Sequence, residues 1–295
     1  LAWADSPPAR KHRCIVKSPV YHSRRARRWP TLFAFLLLLA WGPAHGAPSV
    51  LLTLGNLNDF DYLSDLLTRV LEQEGYQVTV ERAPNIPNNR LEWMLEQGDI
   101  SVMMLGQTES RDHRFLPIEV GMTNNLIGQR ILFIPPGQQH RYDDIENLDD
   151  FRERQLTAGM GKTWLDYQIW KHNALPVTGV DGDWKRLFRM VAAGNRGVDY
   201  LPRGANEITE ESPRYPGLAV EENLALVYRK DHILYVSPER QELYRTLNTA
   251  LRQAESEGLI RELVRKHYSD VYRPPVDLDS RRVIHLELPP GTQPL

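Results

Sequence analysis

Hydrophobic residues fall into two alternating patterns from Ser49 onward. Short apolar runs are typical of strands, and leucines and valines three or four positions apart are typical of amphipathic helices. Gly75 and Gly98 end the helical stretches. Strands and helices of a first unit are predicted over 50–55, 63–71, 77–83, 90–97 and 100–105. This β-α-β-α-β order favours a parallel sheet covered by helices.

A second unit repeats this order farther along the chain. Its pattern predicts strands over 129–135, 156–158 and 198–202, and helices over 149–154, 163–172 and 184–191. Asp183 is the expected N-cap of the last of these helices. Two short strands follow over 224–229 and 232–237, and a long helix then begins at Ser237.

The two units predict an α/β fold of two lobes, each an open, mostly parallel sheet flanked by helices. The pattern places lobe 1 at 47–134 and 225–275, lobe 2 at 135–224, and a C-terminal tail at 276–295. The chain is expected to cross between the lobes along 129–134 and 224–229. Open sheets bind ligands at the carboxyl ends of their strands, so the cleft between the lobes is the expected site.

Residues 1–46 have the pattern of an export signal. Basic residues over 24–28 precede an apolar stretch over 31–41. This stretch is shorter than the roughly 20 residues of a membrane-spanning helix, which makes an uncleaved anchor the weaker alternative. Ala44 and Gly46 are small residues that predict cleavage after Gly46. Cleavage would remove Cys14, the only cysteine, so we expect a periplasmic protein with neither a disulfide nor a cysteine–metal site.

Charge separates this leader from the body of the chain. The 295 residues carry a net charge of −2, but residues 1–46 carry +7 and residues 47–295 carry about −9. The acidity of the body argues against a nucleic-acid-binding surface, which needs clustered Lys and Arg. The sequence contains no catalytic triad pattern, HExxH motif or nucleophile elbow. We therefore expect no cofactor, no metal and no enzyme activity.

Three short motifs resemble extracellular solute-binding proteins of family 3, the polar amino-acid type with a two-lobed type II fold. The motifs are GDISVMMLGQT at 98–108, the pair GMGKTWLDY and GNRGVDYLPRG at 159–167 and 194–204, and the segment 257–268. Each is weak alone, and their order and spacing carry the resemblance, which spans 49–272. It implies a monomer that closes its lobes around a small solute and delivers it to an inner-membrane ABC permease.

The resemblance also implies ligand-binding positions in lobe 1. Thr108 would donate a hydroxyl hydrogen bond, and an arginine would clamp a carboxylate through its planar fork. The family's position for that arginine holds His113 here, so Arg111 or Arg114 would serve, and Arg111 is preferred. The loop after the first strand would face the cleft with Asn56, Asn58, Asp59 and Phe60.

In lobe 2, Gly161, Lys162 and Thr163 lie at the N-terminus of a predicted helix, where backbone N–H groups attract an anion. Trp164 could stack on a flat ligand, although its helical spacing also fits core packing. The GKT sequence here is not a P-loop, because that motif requires glycine at position 156, which is Leu156.

Arg203 lies near the position where amino-acid binders of the family place an aspartate for the ligand's ammonium group. A cation here favours an anionic solute, and the alternative is that Glu207 binds an ammonium group. We therefore expect capture of a small polar, anionic solute for an ABC importer. One alternative is a periplasmic sensor that docks on a membrane receptor. The other is a dehydratase-like enzyme on the same scaffold, for which the candidate acid–base groups are Asp99, Glu109, His113 and Glu207.

Overall fold

The computed structural model describes residues 47–55, 58–194, 196–292 and 294. The expected leader over 1–46, with Cys14 and the cleavage position, lies outside the described residues, as does Asn56. The body, Ala47–Leu295, forms one compact unit. Among the described helices, none is both long enough and apolar enough to cross a membrane.

The described strands and helices alternate along most of the body. The strands are β1 (Ser49–Leu54), β2 (Gln77–Arg82), β3 (Val102–Gly106), β4 (Leu116–Ile118), β5 (Gln129–Ile134), β6 (Ala158–Gly161), β7 (Val177–Val180), β8 (Leu201–Gly204), β9 (Ala219–Val220), β10 (Leu224–Val227), β11 (His232–Val236) and β12 (Arg282–His285). The helices are α1 (Phe60–Gln73), α2 (Asn88–Gln97), α3 (Glu109–Arg114), α4 (Leu148–Glu153), α5 (Leu165–His172), α6 (Arg186–Ala193), α7 (Ala205–Glu211), α8 (Gln241–Glu257) and α9 (Leu259–His267).

Sheet A has the strand order β2-β1-β3-β11-β4. β1 pairs in parallel with β2 and β3, and β11 runs antiparallel between β3 and β4. The amphipathic helix α1 turns Leu63, Leu66 and Leu67 into the core beside this sheet, where they are fully buried. Helices α8 and α9 pack against α1, and Gly258, with φ +81°, separates them at the predicted position.

Sheet B has the strand order β12-β10-β5-β8, and β9 also pairs with β5. β6 and β7 form a separate parallel pair, which a bridge between Ala158 and Tyr200 links to the chain before β8. Helices accompany both sheets, so the expected two-lobed α/β fold class is confirmed. We call the two lobes the sheet A half and the sheet B half.

The two sheets divide the chain at different residues from the boundaries expected from the sequence. Both β5 and β10 belong to sheet B, where they pair antiparallel with Leu226 opposite Arg130. The chain therefore crosses between the halves over 119–128 and 228–231. An apolar run indicates that a strand is buried but does not identify its partner, which explains the displaced boundaries.

The expected C-terminal tail includes an integral strand of sheet B. β12 pairs in parallel with β10, with Val283 opposite Ala225. Ile284 and Leu286 are buried in the core of the sheet B half. The chain therefore enters the sheet B half a second time after completing sheet A.

A buried ion pair anchors this C-terminal segment. The side chains of Arg281 and Glu221 are 1% and 0% exposed, with an Nη1–Oε2 distance of 3.4 Å. Arg281 also donates to the carbonyl oxygens of Glu221 and Leu224 at 2.6 and 3.0 Å. Glu221 accepts from the backbone N–H of Leu224 at 2.7 Å. Because both charges are compensated, their burial is tolerated.

Replacing Arg281 with methionine should lower the free energy of unfolding by about 3–5 kcal/mol, because Glu221 would stay buried without its cation. Urea unfolding of a chain of residues 47–295 measures the change. Arg273→Met is the matched control, since the Arg273 side chain is 69% exposed and its ion pair spans 3.6 Å; it should change stability by less than about 0.5 kcal/mol. Equal effects of the two substitutions would contradict the anchoring role.

Candidate functional site

The candidate site is a cavity of about 500 Å³ where the two halves meet. His232 contributes from the sheet A half, and Ile127 from the first crossing between the halves. The other lining residues come from the sheet B half: Arg130, Trp164, Leu165, Asp166, Trp184, Pro202, Arg203, Asn206 and Glu207. We call it the central cavity. Its volume and its mixture of aromatic and charged groups are typical of a small-molecule site.

Arg130 and Asp166 form part of the central cavity's lining. Arg130, at the start of β5, donates from Nε to Asp166 at 2.5 Å and to the Tyr228 hydroxyl at 2.8 Å. Tyr228 follows β10 and donates to Asp166 at 2.8 Å. Burial alone would lower the pKa of Arg130, but the nearby carboxylates, chiefly Asp166, raise it overall. This contact ties two strands of sheet B to the first turn of α5.

A second set of charges adjoins the first. Arg203, in β8, donates to Glu207 at 2.7 Å and to both carboxylate oxygens of Glu211 at 2.8 Å. Glu207 also accepts from the backbone N–H of Gly204 at 2.7 Å and lies 3.8 Å from Arg130. Its side chain is 38% exposed. Five charged side chains of the two sets thus alternate in sign, in the order Asp166, Arg130, Glu207, Arg203 and Glu211. Three carboxylates and two guanidinium groups leave one excess negative charge.

His232 adds an uncharged polar group to the central cavity. Burial is the largest influence on its pKa and lowers it below the ordinary 6.5. The ring is therefore neutral at pH 7 and above. Its Nδ1 is buried and has no hydrogen-bond partner among the described residues, so no contact there fixes its tautomer.

Two further cavities adjoin the central one. The acidic cavity, about 530 Å³, shares Arg203, Asn206 and Glu207 with it. Its remaining lining residues are Asn58, Asp59, Thr209, Glu210, Glu211, Arg214, His267, Tyr268, Asp270 and Val271. The outer cavity, about 480 Å³, shares Leu165 with the central one. Its remaining lining residues are Gln107, Thr108, Glu109, Asp112, Lys230, Gly291 and Thr292.

The residues predicted from the sequence are divided among these cavities. Trp164 and Arg203 line the central cavity, Asn58 and Asp59 the acidic cavity, and Thr108 the outer cavity. Asp59 accepts a hydrogen bond from the Tyr268 hydroxyl at 2.7 Å. The remaining predicted residues, Phe60, Arg111, Lys162 and Thr163, line none of the three.

Both arginines considered as a carboxylate clamp contact glutamates of α2. Arg111 donates from Nη2 to Glu92 at 2.7 Å and from Nη1 to the Gly106 carbonyl oxygen at 2.7 Å. Arg114 lies 3.3 Å from Glu92 and 2.9 Å from Glu96. Their ion pairs connect α3 to α2 within the sheet A half.

Three other predicted residues also have specific surroundings. The guanidinium of Arg82 lies 4.0 Å from the centre of the Phe60 ring. Lys162 pairs with Asp181 at 2.5 Å, and its side chain is half exposed. Thr163 is exposed in the turn before α5. His113, which occupies the family's arginine position, is mostly exposed and lies 3.9 Å from Glu109.

The lining residues of the central cavity that were not predicted from the sequence include four with charged or aromatic side chains: Arg130, Asp166, Trp184 and His232. Arg130 lies at the start of β5 and His232 at the start of β11, each next to a segment where the chain crosses between the halves. This position was the signal in the sequence that could have indicated them as site residues. Asp166 lies in the first turn of α5 and Trp184 in the turn before α6, and nothing in the local pattern of either segment indicates a site. Among the described residues, no group of three or more His, Cys, Asp or Glu side chains could hold a metal ion.

Arg111→Met should lower the free energy of unfolding by about 1–2 kcal/mol, because it removes charge-assisted hydrogen bonds to Glu92 and leaves the Gly106 carbonyl oxygen without its donor. It should preserve any solute-induced rise in melting temperature. Urea unfolding and thermal-shift measurements check the two effects, with the exposed His113→Ala as control. Unchanged stability together with loss of the solute-induced shift would instead support the clamp role.

No family model matches the chain, and no curated protein matches it significantly. Solved structures do match. An ancestral cationic amino acid solute-binding protein is 15% identical, with a TM-score of 0.49, over 74% of this chain and 95% of that one. An ancestral cyclohexadienyl dehydratase is 16% identical, with a TM-score of 0.48, over 76% and 93%.

A third match is an amino acid ABC transporter substrate-binding protein from Streptococcus pneumoniae bound to L-arginine. It is 11% identical, with a TM-score of 0.45, and the match covers 75% of this chain and 94% of that one. Similarity at this level does not extend to a ligand, a reaction or a partner.

Proposed function

We propose that this chain is a solute-binding protein that captures a small polar solute in the central cavity. The observation that carries the proposal is the position of the cavities: each of the three is lined by residues from both halves. A solute there contacts both halves at once. Such a solute stabilises the arrangement in which those contacts form, which is the physical basis of closure around a ligand.

The charges of the site favour a solute with a cationic group over a simple anion. The anionic solute expected from the sequence depends on Arg203 and Lys162 being available to it. Arg203 is already paired with Glu207 and Glu211, and Lys162 with Asp181. A solute anion would have to compete with these internal carboxylates. The adjoining acidic cavity has more carboxylates than arginines along its lining, which adds to the negative potential.

Glu207 is the proposed partner of the solute's cationic group. It is the most exposed of the five alternating charged groups, with its side chain 38% exposed. Each carboxylate oxygen accepts a second hydrogen bond readily, so Glu207 can bind an ammonium group without releasing Arg203. Arg130 lies 3.8 Å from Glu207 and offers the opposite charge beside it. A zwitterion therefore fits this alternation better than a dicarboxylate.

Calorimetric titration of the mature chain tests this preference. L-amino acids should bind with Kd values at least about 10-fold lower than dicarboxylates such as succinate. Glu207→Gln should weaken zwitterion binding by about 10- to 100-fold, because it removes one charge-assisted hydrogen bond. Glu207 accepts from Arg203 and from the Gly204 N–H on different oxygens, and the single amide oxygen of the glutamine keeps one of these two contacts. Glu153→Gln, at an exposed position of α4 that lines none of the three cavities, is the matched control and should change Kd by less than about 3-fold.

If dicarboxylates bind tightly and Glu207→Gln improves their binding, the proposed preference for a zwitterion is overturned. The result would then support the anionic solute expected from the sequence. Absence of binding to either class would contradict capture of these solutes in the cavity. Consumption of a bound compound, followed by mass spectrometry during the titration, would instead support an enzyme on this scaffold.

We further propose that the bound solute is delivered to an inner-membrane ABC permease. The resemblance of the sequence to family 3 binding proteins supports this partner. Deleting the gene should abolish high-affinity uptake of the radiolabelled solute, and expression of the intact chain should restore it. Unchanged uptake combined with loss of a solute-dependent cellular response would identify a sensor that docks on a receptor.

A further inference from the structure

Two tryptophans form one wall of the central cavity. Trp164 and Trp184 both line it and are both partly exposed. Their ring centres lie 5.2 Å apart with an interplanar angle of 68°. By contrast, Trp170, one and a half turns along from Trp164, is fully buried and donates to the Tyr200 hydroxyl at 2.8 Å. Core packing therefore accounts for Trp170 but leaves the exposure of the other two unexplained.

Other side chains of the sheet B half hold the wall in place. The Arg203 guanidinium carbon lies 4.6 Å from the Trp184 ring centre and 5.3 Å from that of Trp164. Because two glutamates fix this guanidinium, it supports both indoles. Phe188 packs against Trp184 at 5.7 Å and stacks on Tyr215 at 3.6 Å. The indoles are thus positioned without a solute, which reduces the entropy cost of binding to them.

The local sequence does not favour Trp164 at its position. Trp164 is the N-cap of α5 and makes no side-chain cap hydrogen bond. Helices prefer Ser, Thr, Asp or Asn there, and losing such a cap costs about 1 kcal/mol. Gly161 accommodates the indole, since a Cβ there would lie 2.6 Å from the Trp164 Nε1. Departures of this kind from local preference concentrate at functional sites.

We propose that Trp164 and Trp184 select a solute with a planar π group, an aromatic ring or a guanidinium, which stacks on the indoles. The inference rests on the proposed capture of a zwitterion in the central cavity and specifies its side chain. Glu207 binds the charged end of the solute, and the indoles bind its flat end. Stacking discriminates planar from saturated groups beyond the area that either one buries.

Calorimetry with matched pairs of solutes tests the wall. L-phenylalanine is compared with L-cyclohexylalanine, and L-arginine with L-lysine, on the mature chain. In at least one pair the planar member should bind about 3- to 10-fold more tightly. Trp164→Leu and Trp184→Leu should each reduce that ratio toward one, whereas Trp164→Phe, which keeps a planar ring, should retain most of it. Trp93→Leu is the control, because Trp93 is 54% exposed on α2 and outside the cavity.

Circular dichroism and melting temperature establish that each variant is folded, and Trp164→Phe supplies the comparison if either leucine variant unfolds. Equal binding within both pairs would overturn the proposed selection of planar groups by Trp164 and Trp184. A planar preference that survives both leucine substitutions would overturn it as well. Binding of L-alanine or L-leucine without binding of any planar solute would also overturn it while leaving capture of zwitterions intact. If no zwitterion binds at all, the proposed function is overturned together with this inference.

Discussion

The ion pair between Arg130 and Asp166, whose side chains are 13% and 14% exposed, is the contact on which the candidate site depends. A guanidinium in this position requires a partner, because an uncompensated buried charge costs several kcal/mol. Asp166 supplies it from α5, and Tyr228 joins both groups from the end of β10. One contact thus fixes two strands of sheet B and a helix start around the same point. It also places Arg130 beside Glu207, where the alternating charges of the cavity continue.

Because the site's arginines are matched to carboxylates of the same chain, a solute meets arginines whose charges are already compensated. Arg203 illustrates the consequence. Its charge suggested an anion-binding residue, yet its contacts with Glu211 and the two indoles give it a supporting role. Specificity in such a site comes from the groups that retain hydrogen-bonding capacity and from the shape of the apolar wall. Glu207 and the two tryptophans have these properties.

Local patterns predicted most of the elements but not their assembly. The periodicity of α1 and the glycine between α8 and α9 are local signals, and the structure agrees with them. The assignment of β5 and β10 to sheet B depends on strand pairing, which burial patterns do not encode. Long-range pairing also explains the site. Arg130 and Asp166 are 36 positions apart, and Arg111 gave no sign of its contact with Glu92 on another helix. The prediction of Trp164 and Arg203 as site residues drew on the resemblance to family 3 in the segments around β6 and β8, and both residues line the central cavity.

The parallel pairing of β12 with β10 has a consequence for the order of events during synthesis. β5, β8 and β10 are made long before residues 282–285, which complete the edge of their sheet and bury Ile284. A chain that emerges from its N-terminus onward can assemble sheet A through α9 while sheet B still lacks this strand. Until then, β10 has an open edge and Glu221 lacks its cation. The sheet B half therefore reaches its final form late, and a nascent chain remains incompletely folded until residue 285 has been made.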